Sequence, residues 1–217
     1  MLSLALLAST VPMKILFLGN SHTTTYNVAG MTVELLRSAG AQVETHAVQG
    51  APFLNDFAGD ARLLASLRKG QWNVAVLQAA KLSSSHRYIY SQEDGLKVAD
   101  AANTGGAKTY FFAEWPRRGW NESNYIFGIY AGMAKEVKAE IIPVCDAWDW
   151  MRGNFPHLDL WAADGNHSNL NGAYLASMTL ARHIHGPDFD PTWIASGLSK
   201  AYAKECLRAA EASTRSR

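Results

Sequence analysis

Charge of one sign is in short supply. The 217 residues carry 20 Lys and Arg against 19 Asp and Glu, a formal net charge of +1. With no basic stripe along the chain, that balance gives no electrostatic case for nucleic acid as a partner. Arg117-Arg118 is a local pair and reads as a solvated loop, not a phosphate site. Cysteine is scarce too. Cys145 and Cys206 have no zinc-type partners at short spacing, and two reduced, half-buried thiols are expected rather than a disulfide. Long apolar runs are missing. Leu2 to Ala8 has no Lys or Arg before it and is far too short to span a membrane, so no membrane partner is expected. Residues 1–12 are read as an N-terminal extension, either a start misassigned upstream of Met13 or a secretion signal. The lean is to a cytoplasmic protein.

What is present suffices for a core. An apolar fraction of 48% and a charged fraction of 18% are ordinary for a globular chain. The length fits one domain, taken as 13–213.

The chain is organised around Lys14-Ile15-Leu16-Phe17-Leu18-Gly19-Asn20-Ser21-His22-Thr23. The apolar run predicts a strand covered on both faces. Gly19 permits a sharp turn or a close approach. Asn20, Ser21 and Thr23 are each able to cap a helix. Ser21 therefore falls at the carboxyl end of a strand, the edge where open parallel sheets bind ligands.

Strand and helix alternate from there. Helices are predicted over Val28–Ala39, Asp56–Lys69, Glu93–Ala102, Tyr125–Ala139, Leu170–His183 and Thr192–Ala212. Strands are predicted over Val43–Val48, Val74–Leu77, Lys108–Ala113 and Glu140–Val144. Asp146–Arg152 is read as a helical turn. Gly153–Asn166 shows no periodicity. Five strands alternating with helices predict a doubly wound α/β domain with a parallel sheet.

A second motif is Asp164-Gly165-Asn166-His167. A carboxylate three residues before a histidine can fold back to one ring nitrogen and hold the other toward a nucleophile. A serine hydroxyl needs such a base. Taken singly, Ser21 is as well read as a helix cap, and Asp164 as a turn residue. Their joint appearance is the stronger signal.

Together these blocks resemble the SGNH, or GDSL-type, serine hydrolases. Gly19-Asn20-Ser21-His22-Thr23 is similar to the first block of a branch reading Gly-Asn-Ser. Asp164 to His167 resembles the last block, and Gly50 the isolated glycine of the second. The resemblance covers residues 14 to about 185. It implies a flavodoxin-like three-layer α/β/α sandwich with a five-stranded parallel sheet. It also implies ester hydrolysis without metal or cofactor. Ser21 would be the nucleophile, His167 the base and Asp164 its orienting partner, with the backbone amides of Ser21 and Gly50 in the oxyanion hole. The third block departs from the family pattern. Ala80 and Lys81 stand where an asparagine is usual, so either Gln78 turns into the pocket as the stand-in, or the hole has two donors, or it borrows one from elsewhere, with Asn20 as the candidate.

His22 is read as a rim residue. Glu114 and Asp146 are read as caps or turn residues. Most tryptophans are expected to pack the top face, with Trp115 and Trp161 as candidates for a substrate wall. The expected substrate is a small acyl ester, with an acetylated carbohydrate as the class in view. One rival is a non-catalytic carbohydrate-binding or scaffold protein on the same fold, favoured by the Ala80/Lys81 departure. A nucleotide- or flavin-binding domain is disfavoured, because Gly19-Asn20-Ser21 lacks a glycine-rich phosphate loop.

Overall fold

In the computed structural model, which describes residues 12–214, five parallel strands form one sheet in the order β2–β1–β3–β4–β5. They are β1 Met13–Gly19, β2 Val43–Gly50, β3 Val74–Leu77, β4 Lys108–Ala113 and β5 Glu140–Pro143. The expected N-terminal extension, apart from Pro12, and the Arg215-Ser216-Arg217 tail lie outside the described residues.

The alternation inside β1 explains the layering. Ile15 and Phe17 point into one core, Leu16 and Leu18 into the other, and all four are fully buried. Each such side chain contributes about 1.5–3 kcal/mol by leaving water. On the Phe17 side lie α2 Val28–Ser38, α6 Val144–Asn154, α7 Leu170–His185 and α8 Lys200–Ser213. On the Leu16 side lie α3 Ala61–Arg68, α4 Glu93–Thr104 and α5 Ser123–Glu136. A four-residue helix, α1 Ser21–Thr24, follows β1 directly. The result is the three-layer α/β/α sandwich.

The chain leaves β1 for β2 on one side and returns to β3 on the other, so the sheet changes direction at β1. In open α/β sheets the crevice beyond the strand ends at this point binds ligands.

Several elements differ from the sequence reading. The helix expected from Asp56 begins at Ala61, because Asp60 Oδ1 accepts from Arg62 N and Leu63 N and caps it there. Residues 54–59 form a 3-10 turn instead. The last helix begins at Lys200 and not Thr192, since Ser199 Oγ accepts from Tyr202 N. Asp146–Arg152 belongs to an 11-residue helix, α6, that leaves β5 without a loop. Cys145 and Cys206 are not joined in a disulfide, and both are fully buried, not half-buried.

Candidate active site

The turn that carries Ser21 is built from β1 and clamped from β3. Asn20 caps α1, its Oδ1 accepting from His22 N at 2.9 Å. Gln78, at the tip of β3 and fully buried, sends Oε1 back across to β1. That oxygen accepts from Asn20 N at 2.9 Å and from Thr23 Oγ1 at 3.0 Å. A Cβ on Gly19 would overlap Thr23 Oγ1 and stand 2.6 Å from Gln78 Oε1, so only glycine leaves room for the clamp.

The turn that carries His167 is a small hairpin of its own. Trp161 and Ser168 form an antiparallel bridge. Ala162 N donates to His167 O at 2.8 Å, and Asn169 N donates to Leu160 O at 3.0 Å. Gly165 takes φ 70° at the tip, a conformation that side chains other than glycine rarely adopt. Asp164 Oδ1 accepts from Asn166 N and His167 N, each at 2.9 Å. Arg118 ties the hairpin down. Its Nη2 donates to both Asp159 oxygens at 3.0 and 2.9 Å, and its backbone N donates to Gly165 O at 2.8 Å.

These two turns bring Ser21, His167 and Asp164 together. His167 Nδ1 lies 2.5 Å from Asp164 Oδ2, and His167 Nε2 lies 2.7 Å from Ser21 Oγ. Asp164 is held well below the usual carboxylate range, first by the hydrogen bond from His167 and then by the two backbone N–H groups. It therefore stays ionised and can only accept, which puts the ring proton on Nδ1. Nε2 is left with a lone pair for the Ser21 hydroxyl.

Gly50 closes β2 in register with Gly19. The next amide, Ala51 N, donates to Gly19 O at 3.0 Å. Successive amides of an extended strand point opposite ways, so the Gly50 N–H stays out of that ladder.

Gln78 does not reach the pocket as a donor. Its oxygen is committed to the clamp, and its buried Nε2 faces the Glu114 carboxyl without closing a hydrogen bond of normal geometry. Ala79 takes φ 77°, and Ala80 N donates to Tyr130 Oη at 3.1 Å. Lys81 turns outward, its Nζ 5.4 Å above the Phe53 ring. Asn20, the other stand-in, directs Nδ2 to Pro52 O at 3.4 Å.

Trp161 is also placed differently. It is buried, its Nε1 donates to Pro116 O at 2.8 Å, and its ring packs edge-on against Trp148. It supports the His167 hairpin and lines none of the cavity beside the site. Trp115 is more deeply buried still and stacks on Trp148 at 4.7 Å, but it does form part of that cavity's wall.

The residue that sequence reasoning undervalued is Glu114. Only 6% exposed, it accepts from Tyr130 Oη at 2.6 Å. Burial raises its carboxyl to about 7, against the hydrogen bonds from Tyr130 and neighbouring groups. Its position at a strand tip before Trp115-Pro116 was the available signal. His22 is half-buried, with Nε2 3.2 Å from Asn166 O and its ring 5.5 Å from that of His167. Burial, and then the neighbouring His167, lower it to about 4.

Neither a protein-family model nor a curated protein matches the sequence. Solved structures do. A candidate SGNH hydrolase from Slackia heliotrinireducens is 25% identical with a TM-score of 0.61, covering 79% of this chain and 98% of that one. A DUF4886 family protein from Bacteroides uniformis is 18% identical with a TM-score of 0.69, covering 95% and 96%. A family 3 carbohydrate esterase from Clostridium thermocellum is 13% identical with a TM-score of 0.57, covering 81% and 100%. The fold is that of the SGNH-type hydrolases, the group that the Gly-Asn-Ser and Asp-x-x-His blocks resemble.

Proposed function

We propose that this chain is a serine esterase acting on a small acyl ester. The observation that carries the reading is the unbroken relay from Asp164 through His167 to Ser21. As the Ser21 proton passes to His167 Nε2, Oγ attacks the ester carbonyl carbon. The oxyanion is received by the backbone amides of Ser21 and Gly50, donors typically worth about 3 kcal/mol each. The ester C–O bond breaks, and the imidazolium returns its proton to the departing alcohol. Water then repeats the sequence on the acyl-enzyme, releasing the acid and restoring Ser21. Ionised Asp164 stabilises the imidazolium in both halves. An acylated carbohydrate is the substrate class in view, the class acted on by one fold neighbour, the family 3 carbohydrate esterase.

The test uses a fluorophosphonate probe and p-nitrophenyl acetate. Labelling should map to Ser21, and Ser21→Ala should lose on the order of 10³-fold or more in kcat. His167→Ala should lose as much. Equal turnover by wild type and Ser21→Ala would refute the esterase reading and favour a binding protein on this fold.

A further inference from the structure

Beside the Ser21–His167 pair lies a cavity of about 260 Å³ whose walls include His22, Ser83, His86, Glu114, Trp115 and Glu122. It is smaller than a typical drug-sized pocket, so it suits a single ring. His22 follows the nucleophile in sequence. Asn166, which also lines the cavity, precedes the base. The other walls come from the loops after β3 and β4 and from Tyr125 and Ile126 in the first turn of α5. Gly50 ends β2, on the opposite side of β1 in the sheet.

We propose that this cavity is the subsite for the alcohol half of the ester, that the alcohol is a single polyhydroxylated ring, and that Glu114 is the residue that selects it. This rests on the esterase reading above. With the oxyanion held on the β2 side, the cavity lies on the β3–β4 side. The leaving oxygen must take a proton from His167 Nε2, so the alcohol departs toward the histidine. Asn166 O, next to His167, accepts from both His22 Nε2 at 3.2 Å and Trp115 Nε1 at 2.9 Å, which sets the cavity wall against the base hairpin.

The lining decides the chemistry. Glu122 is occupied by Arg117, through Nε and Nη2 at 3.2 and 3.0 Å, with His86 Nε2 at 3.4 Å. That cluster is a strut with its charges paired. Glu114 accepts from Tyr130 on Oε2 and, with its own backbone amide and Gln78 beside it, retains acceptor capacity at the cavity wall. A hydrocarbon acyl chain there would leave a buried carboxyl facing apolar matter, which is unfavourable. Ring hydroxyls would donate to it, with Ser83 and His22 beside them. The loop after β3 supplies Ser83 and His86 to this wall and is the same loop that departs from the family's third block.

Full-length protein and its Glu114→Gln and Glu114→Ala variants should be assayed on methyl mono-O-acetyl-glucopyranoside, p-nitrophenyl acetate and acetylcholine. The ratio of kcat/KM for the glycoside to that for p-nitrophenyl acetate should fall about ten- to a hundredfold in Glu114→Ala, mainly through KM. Glu114→Gln, which keeps an acceptor oxygen, should fall less, and it stands in if the alanine variant does not fold. In calorimetry, Ser21→Ala should bind the acetylated glycoside, and adding Glu114→Gln should weaken that binding. A ratio unchanged within twofold, or a preference for acetylcholine, overturns the proposal while Ser21-dependent turnover keeps the esterase reading. Absence of Ser21-dependent turnover on every ester overturns both.

Discussion

Replacing Glu114 by glutamine should destabilise the protein slightly at pH 4.5 and stabilise it at pH 8. The carboxyl is buried, and its burial raises it from 4.5 to about 7. Between those values the unfolded chain has released the proton while the folded chain still holds it. The folded state then binds more protons, so its stability falls as pH rises, by about 1.4 kcal/mol per pH unit. Across the window from 4.5 to about 7 the loss is about 3 kcal/mol, and above it the curve is flat. Glutamine cannot ionise and escapes this loss. Its amide oxygen can still accept from Tyr130, but the exchange of partners costs about 1 kcal/mol. The variant should therefore be about 1 kcal/mol less stable than wild type at pH 4.5 and about 2 kcal/mol more stable at pH 8. Urea unfolding followed by tryptophan fluorescence at several pH values measures this, with the midpoint at pH 8 raised by about 1 M. A difference between the two proteins that is the same at pH 4.5 and pH 8 would refute the reasoning.

Asp164→Asn should fold and lose less kcat on p-nitrophenyl acetate than Ser21→Ala, because the carboxylate orients and stabilises the ring without touching the ester; an unchanged rate removes Asp164 from the relay. Gly172→Ala should be among the most damaging core changes, by about 3 kcal/mol or more. A Cβ there would collide with the Leu160 carbonyl and with Trp148 Cη2, and a thermal midpoint within a degree of wild type would contradict this. Acid should also weaken the fold through histidine. Burial holds His22 and His183 down to about 4 each, so the unfolded chain takes up those protons first and stability is lost as pH falls from 6.5 toward 4. In the Glu114→Gln background, where the opposing carboxyl is gone, stability at pH 5 should be clearly below that at pH 7, and equal urea midpoints would sink the prediction.

The sheet was legible because β1, β3 and β4 are covered on both faces. Val74–Leu77 and Lys108–Ala113 appear with the predicted bounds, since a buried parallel strand must read as a continuous apolar run. Helix starts were less legible. Asp60 and Ser199 are ordinary polar residues until their side chains are seen on the backbone amides two or three residues on. The hairpin that presents His167 was invisible to periodicity, because it has one bridge and no repeating pattern. Its sole local mark was the Asp164-Gly165 pair, a turn signal. Ser21, Asp164 and His167 were readable from two short blocks. What those blocks did not carry was the support beneath them. Gln78 was singled out as a polar residue at a strand tip, where a pocket donor is expected. Only the approach of β3 to β1 shows that its oxygen is already spoken for by Asn20 and Thr23.

That commitment has a consequence for how the site works. A strand tip has few polar groups to offer, and at β3 three of them are engaged. The Gln78 oxygen clamps the Ser21 turn, the Ala79 carbonyl accepts from Leu54 N at 2.7 Å, and the Ala80 amide donates to Tyr130. Tyr130 in turn donates to Glu114, at the cavity wall. The chain thus spends the β3 tip on rigidity where the family it resembles spends it on a third oxyanion donor. On the esterase reading, a Ser21 turn fixed by bonds to its own backbone needs little reorganisation when charge develops, and preorganisation of that kind is the larger part of electrostatic catalysis. On that reading, transition-state binding then rests on two backbone amides, and the strand tip that holds the Ser21 turn through Gln78 also anchors, two residues on at the Ala80 amide, the Tyr130 hydroxyl that reaches Glu114 at the wall where the alcohol would sit.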